Sequence, residues 1–340
     1  MTRHDRRRRG SLVRGLSLAA AAVATGATLL APPSTAAPAA ATTIAGSASS
    51  SAADAGSRAP KPYPASLPLP NGFQPEGITI APGGKAYLGS RADGDIYRLD
   101  LRTGRGRVIS QGPGTPSVGL KTDGRRLLYV AGGTAGTARV VDQRTGRVVR
   151  DFAFSAAPSF VNDVILTRTS AWFTDSARPQ LYRVKRASDG RPATSFTTLP
   201  LRGDWVQGEG NNANGITTTP DGRALLVVNS SNGNLYRVNP ATGVARTVDL
   251  RGATLTNGDG LLREGRTLFA VQNRLNRIAV LRLNRAGTAA TLVRTITSPR
   301  FDVPTTVARF GGSLYLPNAR FTTPATPSTT YDVTKVRAGR

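Results

Sequence analysis

Four side chains hold most of the chemistry this sequence offers: Glu76, Asn162, Asn214 and Asp259. Each opens a short β-type run, in the phrases Glu76-Gly77-Ile78, Asn162-Asp163-Val164, Asn214-Gly215-Ile216 and Asp259-Gly260-Leu261. Two carboxylates and two amides form a hard, flexible, oxygen-only donor set, which favours Ca2+ over Zn2+ or Cu2+. Any one of these phrases alone reads as an ordinary turn. Four of them at one register of a repeat point to a site for one divalent cation.

The composition narrows the chemistry further. The chain has no Cys and a single His, His4. Beyond residue 39 neither type occurs. That excludes a Ser-His-Asp triad, a Cys nucleophile with a His base, a His-ligated zinc site and a copper–zinc superoxide dismutase site. Catalysis is left to carboxylates, amides, hydroxyls, Lys or Arg, or a metal held by oxygen.

The elements that position the four residues repeat along the chain. The clearest copy is Asn211–Asn239, where β-branched or alternating runs are cut by the turn signals Pro220-Asp221-Gly222 and Asn232-Gly233. Equivalent openers stand at residues 76, 119, 162, 214, 259 and 306, spaced by 43, 43, 52, 45 and 47 residues. This is the period of a four-stranded propeller blade, so the expected fold is all-β, a six-bladed β-propeller. The innermost strand of each blade lines the central channel, so residues at one register converge there. Asp93-Gly94-Asp95, Asp123-Gly124 and Asp221-Gly222 read as hairpin turns, and the recurring Tyr97, Tyr182, Tyr236 and Tyr331 as packing positions.

Ahead of the repeats, residues 1–39 combine a basic start (Arg3, Arg6–Arg9, Arg14), an apolar stretch Leu16–Ala31 and a small-residue cleavage site at Ala37-Pro38-Ala39. They read as a secretory signal peptide, with twin-arginine export left open by Arg8-Arg9 and with no stable membrane span after cleavage. Residues 40–62 are rich in Ala and Ser and read as a disordered spacer. The propeller is assigned to 63–340, with Lys61–Pro70 expected to supply the outer strand that closes the ring. The formal charge is +25, and removing residues 1–39, with six Arg and one Asp, leaves +20. The Arg residues are spread out and aromatics are scarce, which argues against nucleic acid as partner and for attraction to an anionic cell wall.

The same residues resemble a known family. Glu76 in Pro-Glu-Gly, Asn162 in Asn-Asp, Asn214 in Asn-Gly-Ile and Asp259 in Asp-Gly-Leu look like the gluconolactonase, senescence-marker-protein (regucalcin) and luciferin-regenerating-enzyme family. The resemblance covers Asn71–Val336. It implies a six-bladed propeller with one channel cation, usually Ca2+, bound by Glu76, Asn162, Asn214 and Asp259, with Asp259 also the catalytic base. Phe160 and Val164 stand where sugar-acting members commonly carry Arg and Gly, so the resemblance does not extend to a sugar-lactone preference.

The expected function is therefore a secreted, metal-dependent hydrolase of a small-molecule lactone or ester. The alternative is a non-catalytic secreted propeller that binds a ligand or partner on its loop face; fold alone does not separate the two. Phe160 and Trp205 are candidate substrate-binding residues. Trp205 lies in the longest gap between repeats and reads equally as a pocket wall or as a side chain pinning its own loop.

Overall fold

Six antiparallel sheets form six blades in a ring, a six-bladed β-propeller, with 52% strand and 1% helix among the described residues. The computed structural model describes residues 62–339. The expected signal peptide and nearly all of the expected spacer lie outside the described residues.

The inner strands are Pro75–Ala81, Leu120–Thr122, Val161–Leu166, Ala213–Thr218, Gly258–Glu264 and Ala308–Phe310 in blades one to six. Each blade then runs outward through successive hairpins. In blade four the copy read as Asn211–Asn239 yields Ala213–Thr218, Leu225–Asn229 and Leu235–Val238, followed by Val244–Thr247. Blade four also has an unforeseen fifth strand, Arg202–Gly203, which pairs in parallel with Val244 and Ala245.

The turn between third and fourth strands shows why the repeat reads as it does. Asp100 Oδ1 accepts from the backbone N–H of Arg102 and Thr103, and Asp142 Oδ1 accepts from Arg144 and Thr145. Gly104, Gly146 and Gly243 close these turns with φ of +70°, +74° and +74°, a conformation that only Gly adopts cheaply.

Packing is organised by interface. Among the described residues six apolar clusters occur, one between each pair of neighbouring blades. The second strands are buried on both faces and divide their residues by period two: Leu225 and Val227 face blade three, whereas Leu226 and Val228 face blade five.

The ring is closed by the first described strand. Ser66–Leu69 pairs with Tyr331–Thr334 and becomes the outer strand of blade six. Leu67 is fully buried against Leu99, Tyr331 and Val333. Leu67→Ala should cost about 2–5 kcal/mol. Urea unfolding should show this as a lower midpoint with little change in slope.

Candidate metal centre

Glu76, Asn162, Asn214 and Asp259 occupy one structural position in blades one, three, four and five. In each blade the register between inner and second strand shifts at this point, between Pro75 and Ile78, Val161 and Val164, Ala213 and Ile216, and Gly258 and Leu261. A bulge turns a side chain that pleat alternation would send elsewhere. All four residues are buried and border one cavity. They also border a narrower space that continues along the channel.

After Glu76, Asn214 and Asp259 the next residue is Gly, and the neighbouring blade approaches too closely there for a side chain. A Cβ on Gly215 would stand 2.1 Å from the Asp259 carbonyl oxygen, and one on Gly77 2.3 Å from that of Val118. The backbones are stitched blade to blade at the same level. Gly119 N–H donates to Asn162 O at 2.8 Å, Gly260 N–H to Thr305 O at 2.9 Å, and Thr305 Oγ1 to Glu76 O at 2.6 Å.

Both amides are oriented by a serine. Asn162 Nδ2 donates to Ser176 Oγ at 2.9 Å, and that hydroxyl donates to Ala213 O at 2.7 Å. Asn214 Nδ2 donates to Ser230 Oγ at 2.9 Å, and that hydroxyl donates to Gly258 O. One amide hydrogen of each Asn is thus held by a serine, and Asn214 also acts through its amide on Asp259. Asn214 Oδ1 is buried and has no hydrogen-bond partner among the described residues. A buried acceptor without a donor costs free energy unless something positive fills the space. In blade five the corresponding residue is Asn273, whose Nδ2 donates to Asp259 Oδ2 at 2.6 Å.

The electrostatics point the same way. Burial pushes the Asp259 carboxyl up to about 7, and repulsion from Asp163 adds to this against the amide hydrogens of Asn273 and Asn214. Burial also raises Glu76 well above the carboxylate range, helped by Asp259 and Asp163 and opposed by Arg91 and Lys121. Two buried carboxyls that border one cavity and both resist ionisation would each be favoured in the charged form by a positive charge placed near them. Among the described residues no group of three or more His, Cys, Asp or Glu side chains forms a metal cluster; the donor set here is two carboxylates and two amides.

The cavity above the four residues has a volume of about 650 Å3. Phe160 lines it, as do Arg91, Arg274, Arg320 and Tyr331. Trp205 does not. It packs on Tyr236 with ring centroids 4.8 Å apart and donates Nε1–H to Gln207 Oε1 at 3.0 Å, so it pins its own loop. Gln74 and Asn257, each two residues before a candidate ligand, also line the cavity and hold φ of +49° and +56°. Such backbone is uncommon outside Gly, and here it sets the entry of two channel strands.

Ser176, Ser230, Asn273, Arg91 and Asp163 were not legible as site residues. The first three follow their partners by 14, 16 and 14 residues, just past the second strand of each blade. That offset is present in the sequence and could have exposed them. Asp163 takes the place of the small residue after the bulge opening. Its carboxylate accepts from Val164 N–H at 2.8 Å and from Ile216 N–H of the next blade at 3.2 Å.

No protein-family model and no curated protein matches the chain by sequence. Solved structures do match in shape. The Malassezia sympodialis allergen Mala s 1 aligns with TM-score 0.62 at 15% identity, over 80% of this chain and 96% of that one. Regucalcin from Agrobacterium tumefaciens, described as a calcium-binding protein, aligns with TM-score 0.55 at 20% identity, over 80% of this chain and 93% of that one. Virginiamycin B lyase from Staphylococcus aureus aligns with TM-score 0.54 at 15% identity, over 74% and 80%. At these identities the likeness is one of fold: this chain shares the propeller architecture with all three.

Proposed function

We propose that the protein is a secreted, metal-dependent lactone or ester hydrolase whose single divalent cation, Ca2+ in the first instance, is held by Glu76, Asn162, Asn214 and Asp259. The observation that carries this is the buried, donor-less Asn214 Oδ1 beside two buried carboxyls whose pKa values are raised. The donors are all oxygen, and two of them are neutral, so a bound 2+ ion would be balanced without being over-neutralised. That regucalcin is described as calcium-binding makes calcium the first metal to test. The expected leader and the basic charge suit a location outside the cytoplasm, near an anionic cell wall.

A cation held by these residues would supply Lewis-acid polarisation of a carbonyl and ease the ionisation of water. The chain's own groups do the rest. Asn162 and Asn214 contribute oxygen without charge, with their orientation fixed by Ser176 and Ser230. Asp259, steadied by Asn273, takes a proton from the attacking water and returns it to the leaving oxygen. Phe160 supplies an apolar wall for the substrate.

Calcium response should depend on pH with a definite sign. In the metal-free protein the Asp259 carboxyl titrates near 7, above its value in the unfolded chain. Its raised pKa therefore lowers stability progressively as pH rises from the ordinary carboxylate range through 7. Calcium needs the ionised form, so its stabilising effect grows over the same interval. Melting scans with calcium and with chelator should separate most at pH 8 and least at pH 5. A separation independent of pH, or none at any pH, would count against the site. A panel of lactones and aryl esters with and without calcium tests the activity; no turnover anywhere, with calcium bound, would leave a binding protein.

A further inference from the structure

We propose that the substrate carries a carboxylate, and that Arg91 and Arg274 hold it at the rim of the cavity; this rests on the hydrolase reading above. Arg91 directly follows the second strand of blade one, Lys85–Ser90. In blades three, four and five that position belongs to Ser176, Ser230 and Asn273, which spend their polar atoms on the candidate ligands. Arg91 breaks the series. Its guanidinium donates no hydrogen bond and makes no ion pair among the described residues; it lies over the Phe321 ring, 4.7 Å from Cζ to centroid, and its charge acts at longer range on Glu76 and Tyr331. Phe321 comes from the segment between the second and third strands of blade six and lines the same cavity.

A guanidinium that is half-buried, lines the cavity, lies over an aromatic face and has none of its five N–H donors hydrogen-bonded among the described residues is suited to a planar carboxylate. Arg274, exposed on the rim, likewise makes no side-chain hydrogen bond or ion pair among the described residues, and it lines the same cavity. Arg320 differs, because its guanidinium is committed to Asp302 Oδ2 and to Thr330. The charges leave Arg91 and Arg274 over. Glu76 and Asp259 together balance a 2+ ion, Asp163 is offset by Lys121 along the channel, and the rim has only Glu209 as a further acid. The loaded cavity is thus net positive at its mouth and suits an anionic group beside the reacting carbonyl.

The test has two arms on the calcium-loaded protein. The first compares hydrolysis of mono(4-nitrophenyl) glutarate with that of 4-nitrophenyl pentanoate by the parent and by Arg91→Ala, Arg91→Lys and Arg274→Ala. The parent should prefer the carboxylate ester by about 10- to 100-fold in kcat/KM, mainly through KM, the range expected of charge-assisted hydrogen bonds. Arg91→Ala should bring the ratio close to one, Arg274→Ala should reduce it less, and Arg91→Lys should retain part of it. The second arm measures binding of glutarate and of its neutral diamide by calorimetry, which needs no turnover. Hydrolysis of both esters with equal efficiency and no glutarate binding would overturn the carboxylate site and leave the hydrolase reading standing. Glutarate binding that is lost in Arg91→Ala, with neither these esters nor the lactone panel hydrolysed, would support the anion site and overturn the hydrolase reading. Neither binding nor hydrolysis would overturn both.

Discussion

Asp259→Asn should remove nearly all lactone or ester turnover while leaving the ring folded. The change keeps an oxygen donor of almost the same shape and removes the charge and the basicity. Loss of a positioned general base is worth on the order of 10²–10⁴ in rate. Calcium binding should weaken less steeply, because Glu76, Asn162 and Asn214 remain. The Asn273 contact to this residue has to be rebuilt, but the packing clusters lie between blades and do not include Asp259. With chelator present, the variant should melt at or above the parent temperature at pH 8, because a buried carboxyl whose ionisation opposes folding is gone. Paired kinetics and melting curves check both parts. A variant with parental turnover and parental calcium response would reduce Asp259 to a turn residue.

Gly215→Ala should disturb both stability and the candidate site through the addition of one methyl group. Gly215 follows Asn214 at the bulge of blade four. The added methyl would lie 2.1 Å from Asp259 O and 2.9 Å from Leu261 N, both backbone atoms that cannot rotate away. Relief requires blades four and five to separate at the level of the candidate ligands. Overpacking of this kind costs about 1–3 kcal/mol. Because Asn214 and Asp259 would be pushed apart, calcium affinity should fall together with stability. Gly222 makes a useful comparison: nothing lies within 4 Å of a Cβ placed there, so Gly222→Ala bears only the strain of its φ of +69°. Denaturant unfolding and calcium calorimetry on the two variants should show coupled losses for Gly215→Ala. Gly222→Ala should lose stability without losing calcium affinity.

The blade pattern was readable because each second strand is apolar on both faces and each hairpin is bounded by turn residues. Leu225–Asn229 and Leu127–Ala131 are buried along their whole length; an Asp-Gly step precedes each, and Asn232-Gly233 and Gly132-Gly133 follow them. The closing strand was readable from the Pro-rich segment, whose Ser66–Leu69 pairs at the outer edge of blade six. The four oxygen-bearing residues were readable as a set because one register of six blades must meet in one channel.

What decides their orientation was hidden. A bulge is a relation between two strands, and Pro75–Ala81 does not announce on its own that two of its residues will oppose one on its neighbour. The roles of Ser176 and Ser230 depend on a hydrogen bond made across a blade boundary. Arg202–Gly203 is too short to show a period. Trp205 could be read as pocket wall or as loop anchor until Tyr236 was seen beneath it.

A crystal structure of the calcium-loaded protein tests the central claim most directly. The account predicts one ordered cation in the channel, with a carboxylate oxygen of Glu76, Oδ1 of Asn162, Oδ1 of Asn214 and a carboxylate oxygen of Asp259 at about 2.3–2.6 Å, and a remaining position open to the cavity. A channel that holds only water in saturating calcium, with Glu76 and Asp259 sharing a proton and Asn214 Oδ1 bonded to a water, would contradict it.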